Sequence, residues 1–315
     1  RDPETTDERD ENDEGGHMTV TKAPAPSANH CSRDLREWLT HLSATDRLAV
    51  AKPGLGLKHE LAAVSQRLER DKAVLFPSPD GHAVPVAANL LASRGWIGDC
   101  LGVSEDDVIG RYQDAVRNPM PWVEIDRGPV QDVIHRDVDI NAQLPVPTHN
   151  ELDSGPYIAA GLMISRNPTN GIQNVSIHRC QISGKDRIGV LLLPRHTWTY
   201  AQLAEEAGEA LEVAIVIGVD PASLLASQAI VPLDFDEMEI AGAFHGAPVE
   251  MVKCQTNNVR VPARAEIVLE GRVLPGVAEP EGPFGEFPQY YGRRANRHVI
   301  QVDAITPRQN PIFHT

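Results

Sequence analysis

Two carboxylates, Glu281 and Glu286, flank the turn Gly282-Pro283-Phe284-Gly285. Gly and Pro dictate the backbone of such a turn, so it can hold both acids near one site. In a paired arrangement one carboxylate stays ionised beside a cation, while the other, more desolvated, has its pKa raised and handles protons. The competing reading is a surface loop carrying two solvated glutamates, and spacing alone favours it. A second polar segment, Asn174-Val175-Ser176-Ile177-His178-Arg179, packs an amide, a hydroxyl, an imidazole and a guanidinium into one predicted strand. Regular alternation puts Asn174, Ser176 and His178 on one face and Val175, Ile177 and Arg179 on the other. A solvated edge strand explains this pattern. The functional alternative is a face lining a polar cofactor site while Arg179 reaches a carboxylate, with a bulge letting Asn174 and Arg179 serve one site.

The third segment, Pro194-Arg195-His196, ends the strand that should pair with the second in a hairpin, which places His196 near Asn174. An imidazole, an amide oxygen and a distant carboxylate suit a hard divalent cation such as Mn²⁺ or Mg²⁺ completed by phosphate. A strand-end histidine is more often an exposed or hydrogen-bonded imidazole. The run Asp234-Phe235-Asp236-Glu237-Met238-Glu239 can supply the carboxylate, or serve only as an acidic helix start. There is no GxGxxG after a strand, no GxxxxGK[ST], no HExxH and no GxSxG.

Elements able to position these groups follow from the hydrophobic pattern. Leu35, Trp38, Leu39 and Leu42 recur at helical spacing, with Ser32 or Asp34 placed to cap. Further helices are predicted near 57–69, 87–96 and 104–116, with a strand at 73–76, so residues 33–120 read as a small α/β unit. Asn118-Pro119-Met120-Pro121 marks a boundary. Residues 121–315 read as a β-barrel domain, with strands at 130–135, 158–165, 173–182, 187–193, 212–217, 248–254, 265–270 and 297–305. Ser183-Gly184-Lys185-Asp186 is a hairpin turn, and helices interrupt at 199–209, 221–228 and 236–244.

Bulk properties exclude some classes. Of the net charge of −15, residues 1–17 contribute −6 through eight acids against Arg1 and Arg9. That segment, and the Ala/Pro/Ser-rich stretch to residue 32, reads as a disordered acidic tail and linker, with Met18 an alternative start. The acidic remainder opposes binding to nucleic-acid phosphates. No apolar run reaches the roughly 18 residues of a membrane span, and no secretory signal is seen, so a cytoplasmic protein with no membrane partner is expected. The four cysteines, Cys31, Cys100, Cys180 and Cys254, form no CxxC pair and read as reduced, buried thiols.

Taken together, NVSIHR (174–179), PRH (194–196), DEMEIAGAFHGAPVEMVKC (236–254), VPARAEIVLEG (261–271) and EGPFGEFPQYYG (281–292) resemble the UbiD-like decarboxylases. The similarity runs from about residue 33 to the end of the chain. It implies an α+β fold in which the small N-terminal unit precedes a split β-barrel with inserted helices, like that of flavin reductases. It also implies a family C-terminal domain, with oligomer contacts, a phosphate-binding Lys and part of the substrate pocket, absent from these residues. By position, Asn174, His196 and Glu237 match divalent-metal ligands. Ser176, Ile177, His178, Arg179 and Arg195 fall on stretches lining prenylated FMN. Ala226, Ser227 and Ala229 match a potassium (K⁺) site, and Arg179, Glu281 and Glu286 match a catalytic Glu–Arg–Glu network.

The resemblance implies reversible, non-oxidative decarboxylation of an aromatic, heteroaromatic or α,β-unsaturated carboxylic acid: Glu286 delivers the proton that replaces CO₂, Arg179 orients the substrate carboxylate or flavin, and Glu281 fixes the guanidinium. Proton delivery works best when the acid's pKa approaches working pH, so a partly apolar setting is expected for Glu286. Leu192, Arg195 and Phe287 are expected at the substrate. Val175 stands where cinnamate-type members have Trp, Arg195 where they have Gln, and His178 where they have a small residue, which points to a more polar substrate. Expected partners are a flavin prenyltransferase as cofactor supplier and further copies of the chain, in a homodimer or larger homo-oligomer. A non-catalytic flavin carrier, or a metal-binding interaction domain, would keep the barrel without the network.

Overall fold

The computed structural model describes residues 31–315. The acidic tail and most of the linker expected from the sequence lie outside the described residues. Helix Leu35–Ala44 buries Leu35, Trp38, Leu39 and Leu42, and of the two candidate caps it uses Asp34, whose carboxylate accepts from the Glu37 N–H at 2.9 Å. Strands Leu48–Val50, Ala73–Phe76 and Val86–Ala88 form one small sheet, completed by Phe313–His314 from the other end of the chain. The helix expected near 87–96 therefore begins later, at Arg94, because Val86–Ala88 is taken up by strand pairing and lies fully buried. Likewise 130–135 is not a strand: Pro129 opens a single 3-10 turn, and His135 alone bridges to Ile305.

The large sheet is antiparallel throughout, in the spatial order Tyr157–Ile158, Cys180–Ile182, Arg187–Val190, Ala295–Pro307, Ile267–Glu281, Leu211–Ile217, Leu162–Arg166 and Gln173–Ile177. Chain geometry forces it to curl. Laid flat, eight strands would hold Gln173–Ile177 and Cys180–Ile182 many strand spacings of about 4.8 Å apart. Only His178 and Arg179 separate those two strands, and three Cα steps reach at most about 11 Å. The edges must come together, giving a curled half-barrel.

Leu211–Ile217 shows how the sheet holds two cores. Ala214 and Val216 join Leu162, Ile164 and Val175 under the helices of the outer layer. Val213, Ile215 and Ile217 join Met163, Leu269 and Ile300 around Tyr200 of helix His196–Glu206. Strict alternation along one strand feeds both. Strand Ile267–Glu281 is much longer than the expected 265–270. It continues past Pro275-Gly276 because its pairing with Ala295–Pro307 shifts register between Val273 and Ala278, absorbing the residues that cannot hold the ladder. Its far end delivers Glu281.

Candidate active site

The crossing from the edge strand Gln173–Ile177 to Cys180–Ile182, next to the opposite edge, builds the site. The sequence predicts one continuous strand over 173–182; the structure breaks it at His178-Arg179. Gln173–Ile177 pairs with Leu162–Arg166, and Cys180–Ile182 forms the hairpin with Arg187–Val190 around the expected turn at Ser183–Asp186. His178 holds the crossing in place. The Leu191 carbonyl can only accept, so Nδ1–H of His178 donates to it at 3.2 Å, and Nε2 accepts from the Ser176 hydroxyl at 2.9 Å. Burial lowers the pKa of His178, consistent with this neutral tautomer. The break, rather than a bulge, allows Asn174 and Arg179 to line one cleft of about 1290 Å³.

At one end of the cleft Arg179 lies between two carboxylates. One guanidinium nitrogen donates to Glu281 at 2.9 Å and the other to Glu286. Burial opposes charging of Arg179, but Glu281 and Glu286 outweigh it and raise its pKa. Glu281 is fully buried, whereas the Glu286 side chain is 42% exposed. Glu281 is held from behind by Tyr157, whose hydroxyl lies 3.1 Å from Oε1, while Gln181 accepts from the Gly282 N–H at 3.0 Å. Burial raises the Tyr157 phenol to about 12, so it remains a donor. Phe284, from the turn itself, lies beneath the guanidinium with its centroid 5.7 Å away. Gly292 completes the seat: a Cβ there would come within 2.5 Å of Arg179 Nη1.

The other end combines Asn174, His196 and Glu237. Contrary to the hairpin expectation, His196 is the first residue of helix His196–Glu206, and the curl of the sheet brings it to Asn174, 3.4 Å between Nδ1 and the amide nitrogen. Glu237 reaches the exposed edge of Gln173–Ile177. It accepts from the Val175 N–H at 2.6 Å and from the Asn174 amide at 2.7 Å, and lies 2% exposed. Burial raises its carboxyl to about 8 against the pull of these donors, and no cationic side chain pairs with it among the described residues. Burial and Arg195 both lower the pKa of His196, favouring the neutral ring, which has one nitrogen able to accept. The His196 imidazole, the Glu237 carboxyl and the Asn174 amide thus meet at this end of the cleft, the amide nitrogen toward the other two and its oxygen on Thr197.

Ser176, Ile177, Arg195, Ser227, Ala229 and Phe287 also line the cleft. Phe287 is 97% exposed at its mouth. Ala226 is buried behind the lining and its carbonyl accepts from the Ala229 N–H at 3.0 Å, while the Ser227 hydroxyl donates to Leu224 O. Leu192 does not reach the cleft. Its neighbours Leu191 and Leu193 do, and Leu192 packs into the inner core with Val190 and Tyr200. The sequence reading missed Tyr157, Gln181 and Thr197, which hold Glu281, Gly282 and Asn174; the Thr197 hydroxyl donates to Asn174 Oδ1 at 2.9 Å. An isolated tyrosine far along the chain gives no local signal of such a role.

The chain is thus a curled antiparallel half-barrel whose cleft holds an Arg–carboxylate network at one end and the Asn174–His196–Glu237 cluster at the other. Residues 122–315 match the family model of the 3-octaprenyl-4-hydroxybenzoate carboxy-lyase Rift-related domain, and residues 39–116 that of the N-terminal domain of the same carboxy-lyase; the chain belongs to the UbiD family. It is 37% identical over 265 residues to anhydromevalonate phosphate decarboxylase of Methanothermobacter thermautotrophicus, covering 84% of this chain and 62% of that protein. Among solved structures it resembles an evolved dimeric form of the UbiD-class enzyme HmfF from Pelotomaculum thermopropionicum in complex with prFMN, with TM-score 0.89, 45% identity, and 90% of this chain and 67% of that one covered. The closed form of vanillic acid decarboxylase from Sedimentibacter hydroxybenzoicus gives TM-score 0.86 at 29% identity, covering 90% of this chain and 64% of that one. The chain thus spans about three fifths of the curated relative's length. No helix among the described residues is long and apolar enough to cross a membrane.

Proposed function

We propose that this chain carries the cofactor and acid–base site of a reversible, non-oxidative decarboxylase that acts on an aromatic, heteroaromatic or α,β-unsaturated carboxylic acid with prenylated FMN. One observation carries the reading: Arg179 is clamped between buried Glu281 and half-exposed Glu286, in the same cleft as the Asn174–His196–Glu237 donor set. A protein that only stores flavin has no physical need for a guanidinium held by two carboxylates. The prFMN complex of a relative at 45% identity supports the choice of cofactor.

Asn174, His196 and Glu237 would hold Mn²⁺ or Mg²⁺ against the cofactor phosphate, and the backbone around Ala226, Ser227 and Ala229 would take K⁺ beside it. When bound, the prenylated flavin supplies the electron sink that decarboxylation requires. Ser176, Ile177, His178 and Arg195 form the walls around it. Arg179, fixed by Glu281, binds the substrate carboxylate. Glu286 sits on a two-strand turn and is less buried, so it can release Arg179, take up a proton from solvent at the cleft mouth and pass it to the carbon that loses CO₂. Arg195 and Phe287 at the cleft favour a planar substrate with a second polar group, in keeping with a non-cinnamate acid. The working protein would be a homodimer or higher homo-oligomer, served by a flavin prenyltransferase.

Full-length protein co-expressed with a flavin prenyltransferase tests this. Glu286→Gln should lose CO₂ release while retaining bound flavin; near-normal turnover would remove the acid role. Unchanged flavin binding and unchanged function in both Glu281→Gln and Glu286→Gln would favour the non-catalytic carrier.

A further inference from the structure

The turn that carries Glu286 is too small to hold its own shape. Its ladder pairs only Phe284 with Gly292 and Gly285 with Tyr291, closed by the Glu286 N–H donating to Tyr290 O at 2.9 Å. A lone two-stranded hairpin is marginal in water even when longer than this. Residues 150–154, the loop before strand Tyr157–Ile158, fasten it from outside. The Ser154 N–H donates to Pro283 O at 3.0 Å and the Leu152 N–H to the Tyr291 hydroxyl at 3.3 Å, anchoring the entry and the exit of the hairpin. Between them the Asp153 carboxylate takes the Gly285 N–H on Oδ1 at 2.7 Å. Its Oδ2 accepts from the Asn150 N–H at 2.9 Å and from the Asn150 side-chain amide at 3.3 Å, so the loop fixes the carboxylate that fixes the turn. The apposition is close: a Cβ on Gly285 would come within 2.5 Å of Asn150 Nδ2.

We propose that Asp153 is a positioning residue for Glu286, holding the backbone from which that carboxylate reaches both Arg179 and the substrate, a role that rests on the decarboxylase reading of the cleft. In that reaction Glu286 has to let go of Arg179. While the ion pair stands, it helps to place the turn. Once it opens, the Gly285–Asp153 bond is the remaining hydrogen bond from residues 284–290 to the protein outside the hairpin, among the described residues. Phe284 is pinned by packing, its ring centroid 4.4 Å from that of Tyr157. Asp153 carries that order one residue further, to the peptide bonded to Glu286. An ionised acceptor suits the task, because a charge-assisted bond to an N–H is stronger than a neutral one. It also leaves the Glu286 side chain free to turn between guanidinium and substrate. Asn150 lines the cleft but Asp153 does not, so Asp153 acts through Glu286 and not by touching substrate or flavin. A turn displaced by about 1 Å would cost on the order of a hundredfold in the proton step while leaving substrate binding intact.

The test compares full-length holoenzyme with its Asp153→Ala and Asp153→Asn variants by steady-state CO₂ release, flavin content and amide hydrogen exchange read on peptides. Asp153→Ala should lower kcat by about tenfold or more, hold KM within about twofold and retain its flavin, as expected when an interaction of the transition state alone is lost. Exchange in the peptide spanning 284–292 should quicken by about tenfold, with strand Leu211–Ile217 protected as in the wild type. Asp153→Asn keeps an acceptor for the Gly285 N–H, so its kcat should recover to within about fivefold of the wild type. Unchanged exchange over 284–292 in folded Asp153→Ala protein would overturn the clamp. Quickened exchange with an unchanged kcat would overturn its role in the proton step. A wild-type holoenzyme that releases no CO₂ would instead overturn the decarboxylase reading, and hydrogen exchange would still decide the clamp.

Discussion

The two ends of the cleft handle buried charge in opposite ways. At the Arg179 end the protein supplies both signs: Glu281, with no exposed surface, is paired with a guanidinium and a tyrosine hydroxyl. At the Glu237 end it supplies no cation: a buried carboxyl meets only neutral donors, and burial raises it to about 8. The first end is preorganised by the chain alone. On the proposed reading the second would be completed by a cation. The cleft would then separate the group proposed to move a proton from the group proposed to anchor a charged cofactor.

Breaking the first end should have the larger effect. Arg179→Ala leaves Glu281 buried and unpaired, which should cost about 3–5 kcal/mol in urea unfolding even without ligands, and should remove turnover. Glu237→Gln should behave in the reverse manner. Unfolding without metal should be unchanged or slightly more favourable to the fold, while Mn²⁺ affinity by calorimetry falls at least tenfold. Equal stability losses in the two variants would erase the contrast. Tyr157→Phe sharpens the comparison more gently: losing one hydrogen bond to Glu281 should cost on the order of 1 kcal/mol, read by the same unfolding curve.

A separate contrast concerns pH. Burial opposes charging His245, but Asp220 and Cys31 raise it from 6.5 to about 10, while Cys31 falls from 9.0 to about 6. Between about pH 6.5 and 9 the folded chain holds one proton more on His245 and one fewer on Cys31 than the unfolded chain, so the two contributions cancel. Above pH 9 only the His245 contribution remains, and it is lost as pH rises through about 10. Cys31→Ser removes the compensation, so stability should fall from about pH 6.5 upward, by at most about 1.4 kcal/mol per unit. A wild-type slope in that variant would contradict the pairing. Asp220 and Cys100 are the other titratable groups in contact there.

Local patterns carried much of this arrangement. The Leu35–Leu42 helix, the strand at 73–76, the turn at 183–186 and the Glu281–Glu286 segment are each specified by neighbours in sequence, and the family resemblance gathered Asn174, Arg179, His196, Glu237 and both glutamates into one site. What escaped was long-range. No periodicity says that Ile177 lies on one edge strand of the sheet and Cys180 on the strand next to the opposite edge, so the expected hairpin was carried as far as Asn174 and His196, whereas it joins only Cys180–Ile182 and Arg187–Val190. Tyr157 holds a carboxylate 124 residues away. Leu192 shows the limit at single-residue scale: along an extended segment a one-position choice decides between cleft and core.

The central claim is that the cleft is a prenylated-FMN and metal site. Native mass spectrometry of the full-length protein, co-expressed with a flavin prenyltransferase and supplied with Mn²⁺, tests it most directly. The expected result is bound prenylated FMN together with one divalent ion, and loss of both in His196→Ala. Absence of any flavin under every metal condition, in folded protein, would contradict it.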